Sequence, residues 1–147
     1  MWGNVMDMLI AILFWLHLTA LAFGGAAAFG IPAVGSRIPG ASAEARPLLF
    51  GAVHTLSNVG KAAMAVLIIT GPLMVWLRFG GTSGFTAWFW AKMVLVVVLL
   101  GVIIYGGINA KRAQGGDMAA AKRAPIISQV GMVTFIGVIL CAVFAFN

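Results

Sequence analysis

The chain has 147 residues, 63% of them hydrophobic and 8% charged, with a mean hydropathy of +1.10. A water-soluble domain carries roughly a quarter charged residues, so this composition excludes one and describes an integral membrane protein. The net charge of +6 does not point to nucleic acid, because the basic residues gather between apolar runs as topology signals. Cys141 is the only cysteine, so no intrachain disulfide can form. Within the last apolar run it reads as a small buried packing residue.

A spanning helix needs about 20 apolar residues, and four runs qualify: 8–30, 48–77, 87–110 and 126–146. They predict an all-α, four-helix transmembrane bundle forming a single domain over 1–147. The N-terminal run carries Asn4 and Asp7 where a secretion signal would have positive charge, so it reads as a retained helix. Arg37 and Arg46 lie between the first and second runs; Lys111, Arg112, Lys122 and Arg123 lie between the third and fourth. The remaining loop has only Arg78 at its edge. Positive loops stay in the cytoplasm, which places both termini outside a bacterial-type inner membrane. The basic loops can also touch anionic lipid heads.

In the first run His17 is the only group from 8 to 30 that titrates near neutral pH. An imidazole in hydrocarbon is costly and rarely idle. Ala20, Gly24 and Ala28 follow it on one helical face, a wall low enough to admit another helix or a flat cofactor. Neutral imidazole suits iron, and haem proteins commonly use a proximal histidine; the competing reading is a structural histidine donating to a neighbouring carbonyl. Gly30-Ile31-Pro32 predicts the end of this helix.

The connection 33–46 contains the turn signal Pro39-Gly40, and Pro47 suits the first turn of the second helix. His54, Asn58 and Lys61, with Ser57 beside them, form a polar stripe on one face. Such a stripe should face the bundle interior rather than lipid. Counted from the run ends, His17 lies about 13 Å from the outer edge and His54 about 9 Å from the inner one. That leaves them ~8 Å apart in depth across a core of ~30 Å, so a shared iron is an option, as is a role for His54 at the cytoplasmic mouth. The same count puts Lys61 about 20 Å in, near mid-bilayer, where a lysine needs an anionic partner, water or a lowered pKa. Gly71-Pro72 predicts a kink further on, freeing backbone carbonyls that neighbouring helices must cover.

The turn Gly80-Gly81-Thr82-Ser83-Gly84 leads into Trp88-Phe89-Trp90, an interfacial aromatic belt. Lys92 comes just inside it, either snorkelling to the surface or pointing inward at nearly the level of His17. The fourth helix is read as beginning after Pro125, with Ser128, Gln129 and Thr134 as its polar residues. Only Asp7, Glu44 and Asp117 are acidic, and neither CxxC, HExxH nor a phosphate-cradling glycine loop occurs. Hydrolysis and phosphoryl transfer have no apparatus here.

The histidine of the first run, with Phe29 at +12 and Pro32 at +15, resembles the HemJ-type membrane-bound protoporphyrinogen IX oxidases and their CopD-like relatives. Phe89-Trp90-Ala91-Lys92, followed by a branched run to Gly101, is similar to that family's third-helix segment. Ile69-Thr70-Gly71 and the basic loop before the last helix fall in matching order. The resemblance implies haem b bound at His17, with His17 and Lys92 as the essential pair. The chain departs from the family pattern at Gly24, Ala33, 102–104 and Ser128-Gln129, and His54 and Lys61 are extra.

Together these readings give a b-type haem protein of electron transfer or porphyrinogen oxidation. Cofactor-binding candidates are His17, Gly24, His54, Asn58 and Lys61; metal candidates are His17 and His54. A quinone or porphyrin, the bilayer, and a second copy or larger membrane complex are the expected partners. The other function classes are an anion channel or transporter lined by His54, Asn58, Lys61 and Lys92, and an accessory subunit packing through small residues.

Overall fold

The computed structural model describes residues 2–81 and 83–145, so Thr82 of the glycine turn and Phe146 at the end of the fourth run lie outside the described residues. Four helices follow in order: α1 (Trp2–Gly35), α2 (Ala45–Phe79), α3 (Ala87–Gln114) and α4 (Met118–Ala145). All four are long and apolar enough to cross a membrane. At ~1.5 Å per residue they measure about 42–52 Å, more than the ~30 Å of hydrocarbon, so their ends protrude from it.

The helix ends differ from the sequence reading wherever proline was taken as punctuation. α1 continues past Gly30-Ile31-Pro32 to Gly35. Pro32 forfeits a single ladder bond near the end, and its carbonyl still accepts from Ser36 N at 3.0 Å. α4 begins at Met118, well before Pro125. Asp117 starts it: Oδ1 accepts the backbone N–H groups of Ala119 (2.9 Å) and Ala120 (3.1 Å), satisfying donors that a helix start leaves orphaned. Gly80, at φ 66°, ends α2 and donates to Trp76 O, a left-handed geometry that glycine adopts without strain.

Hydrocarbon offers no hydrophobic driving force between helices, so close approach and dispersion must hold them. The small residues supply that approach. A Cβ on Gly60 would stand 3.0 Å from Ala27 Cβ, and one on Gly30 would meet Leu56 at 3.0 Å. Gly106 faces Ile127, Gly131 faces Val102 and Gly137 faces Leu95 in the same manner between α3 and α4. The fold is therefore two antiparallel hairpins, α1–α2 and α3–α4, joined mainly where α1 meets α4, with a slighter contact between α2 and α3. The joint is Phe135, which lies against Gly24 and Gly25 and meets Phe29 edge-on at 6.4 Å. With Met64 and Leu99 it makes the apolar core. Cys141 is buried, and large apolar side chains such as Trp76 and Val97 stand outside, the inversion expected of a protein solvated by lipid.

Enlarging a glycine at the helix seam should cost more than enlarging one that faces lipid. Gly60→Leu should destabilise the protein by about 1–3 kcal/mol through overpacking against Ala27. Gly101→Leu, whose added atoms meet nothing within 4 Å, should melt like the wild type in detergent.

Candidate functional site

α1 and α2 run antiparallel, so Ala27 meeting Gly60 and Gly24 meeting Ala63 bring His17 opposite Thr70 and Gly71. The His17 ring packs at Gly71 through Cε1, and its Nδ1 lies 2.8 Å from Thr70 Oγ1. The Thr70 hydroxyl also lies 2.7 Å from Val66 O, to which it donates. A hydroxyl has one proton; with that proton given to Val66, Oγ1 can only accept from His17. Nδ1 therefore carries the ring proton, and Nε2 carries the lone pair. This is the arrangement by which ligating histidines are held: one nitrogen donates to a fixed acceptor, and the other is presented to the ligand. Thr70 is 3% exposed, so the pair is shielded from competing water.

Lys92 shares this level. Phe89, Lys92 and Leu99 recur on one face of α3, and Phe89 and Leu99 are buried, so the lysine belongs to the inward stripe. It is half-buried, with Nζ 5.8 Å from the centre of the Phe89 ring, within cation–π range. Its charge acts on the His17 ring. Phe89 stacks on Phe85 at 4.0 Å, and Phe85 meets Phe79 at 5.4 Å, forming an aromatic layer at this end of α2 and α3. His17, Thr70 and Lys92 are thus one polar level in the half of the bundle nearer Trp76, Trp88 and Trp90.

The other sequence candidates stand elsewhere. His54 lies more than four turns before Thr70 on α2, about 24 Å away at ~1.5 Å per residue. The two histidines are therefore not brought to one iron, and the depth difference of ~8 Å is too small. The shorter figure took Leu48 as a membrane edge, whereas α2 begins earlier, at Ala45, and its 35 residues exceed what the hydrocarbon needs. Lys61 moves for the same reason. Its Nζ reaches the open side of Gly107, four residues before Lys111 and so about 6 Å inside the basic edge, rather than near mid-bilayer. The stripe does not face the bundle interior either: His54, Asn58 and Lys61 are exposed. Asn58 Nδ2 donates to His54 Nδ1 at 3.5 Å, a long, weak bond.

Gly24 also has a different setting from the expected open wall. Its face is filled by Phe135 and Ala63, so there the small residues admit helices. Between the level of Lys61 and that of Lys92 lies the apolar layer of Met64, Leu99 and Phe135, and among the described residues no polar lining joins the two. Sequence reading missed Thr70, the residue that orients His17. Threonine in an apolar run commonly bonds its own helix at i−4, so its spacing alone carries no sign of a partner on α1.

Removing the Thr70 hydroxyl leaves the His17 N–H without its acceptor. Thr70→Val should lower stability by about 1–3 kcal/mol, the cost of an orphaned buried donor, while Thr70→Ser should stay near wild type. In a double-mutant cycle with His17→Ala, thermal melting should show the two losses to be coupled, not additive.

No family model matches the chain, and no curated protein or solved structure matches it either.

Proposed function

We propose that the protein is a membrane-embedded b-type haem protein with a redox role, in electron transfer or porphyrinogen oxidation, with a quinone or respiratory partner as acceptor. The observation that supports it is the hydrogen bond between His17 and Thr70, which fixes the ring and frees Nε2 as a donor atom. Among the described residues no three His, Cys, Asp or Glu side chains gather around a point, so a bare-ion site with several protein ligands has no support. One oriented imidazole fits a metal whose other ligands come with a macrocycle. A bound haem would supply a one-electron couple.

The chain's own residues have separable tasks in this reading. His17 would hold the iron through Nε2, and Thr70 fixes its tautomer and ring plane. Lys92 places a cation at the same level, favouring the more negative, reduced form of whatever is bound. Phe135 and Ala63 close the α1 wall at Gly24. A flat group on His17 would lie away from that closed wall. The resemblance to HemJ-type oxidases implies the same two residues, His17 and Lys92, as its essential pair. An anion conduit has less support, because Met64, Leu99 and Phe135 interrupt its lining.

Protein purified from haem-supplied cells should show a Soret band and, with dithionite, the sharpened bands of a b-type haem. His17→Ala should abolish them, and Lys92→Gln should keep them while lowering the midpoint potential. A folded, colourless wild type would overturn the reading. The proposed orientation, with both basic loops in the cytoplasm, has its own test on a Cys141→Ser background. Ser83→Cys should react with an impermeant maleimide in intact cells, and Ala43→Cys only after the membrane is opened.

A further inference from the structure

Two shallow hollows adjoin on the outer face of the α3–α4 hairpin, of about 260 and 140 Å³, and Ile126 and Val130 line both. Val102 and Val133 make their other apolar walls. Together they run along α4 from Ile126 to Thr134, about 12 Å, close to the ~15 Å depth of one leaflet. At the basic end stands Tyr105, itself part of the lining. Its hydroxyl accepts a hydrogen bond from Arg123 Nη1 at 3.2 Å. An exposed arginine ordinarily samples many rotamers; this one is tethered at the mouth of an apolar trough.

We propose that this trough binds one anionic phospholipid, with the phosphate on Arg123 and an acyl chain along Ile126, Val130 and Val133. Charge complementarity commits the site to this occupant. The guanidinium gives one nitrogen to Tyr105 and keeps further N–H donors for phosphate oxygens, a planar match that lysine lacks. Lys122 adds a second positive charge next to Arg123. The acidic residue of this loop, Asp117, has its Oδ1 engaged by the backbone of Ala119 and Ala120. The apolar length fits a chain within one leaflet, whereas a free phosphate would use none of it. The site is independent of His17 and holds whether or not haem is bound.

Native mass spectrometry of the full chain, titrated with phosphatidylglycerol, phosphatidylcholine or inorganic phosphate, tests this. Phosphatidylglycerol should bind about five-fold or more tightly than phosphatidylcholine, the effect of one basic group near a lipid surface. Arg123→Gln should erase that preference, and Arg78→Gln should retain it. Tyr105→Phe, a mild change that keeps the ring, should weaken it, and Val130→Trp should block binding by filling the trough. Wild-type binding by both Arg123→Gln and Val130→Trp would overturn the proposal. So would full competition by inorganic phosphate, which would make the ligand a free anion. A lipid-independent dimer split by Val130→Trp would assign the trough to a second copy and overturn it equally.

Discussion

Hydrocarbon will not solvate a ring nitrogen, so an imidazole inside a bilayer has to be partnered by the protein. Thr70 meets that constraint for His17, and the pairing depends on everything around it. α1 and α2 must approach closely enough for a short side chain to reach across. Gly60 against Ala27 and Gly24 against Ala63 make that approach. The Thr70 hydroxyl must in turn give its proton away, and the Val66 carbonyl one turn back is always within reach of a helical threonine. The tautomer of the histidine is therefore set by helix geometry, without a carboxylate, in a chain with three acidic residues.

The vertical arrangement of polar groups follows from the same solvent. One level, His17 with Thr70 and Lys92, lies between the helices, with Thr70 buried and the other two half-buried. The other, Lys61 with His54 and Asn58, lies near the basic edge, where headgroups and water are close. The apolar layer of Met64, Leu99 and Phe135 divides them. A lysine near the interface can be exposed at little cost, whereas Lys92 has an aromatic face beneath it.

Much of this was legible in the residues. Composition and run length alone specify four spanning helices, because hydrocarbon thickness sets a minimum that few soluble sequences meet. The nearness of Lys92 to the level of His17 follows from counting along the helices. Depth failed where Leu48 was taken as an edge: α2 begins at Ala45 and brings Lys61 to Gly107, toward the basic end of α3, so His54 and Lys61 were misplaced with it. Proline misled for a related reason, since a single lost bond at Pro32 or Pro125 is affordable in a long helix. Asp117, a standard N-cap residue, was the overlooked marker of where α4 begins. Phe135 against Gly24 could not be read, because which of two partners fills a low wall depends on the tertiary arrangement.

The way the helices pair also shapes how the molecule comes together. Each hairpin closes over a short connection, so the first loop to close is small, although its contacts reach as far apart in sequence as His17 and Thr70. The halves are joined chiefly where the Phe135 ring is seated against Gly24 and Gly25. The aromatic that fills the wall beside the histidine is thus also the latch that makes one body of two.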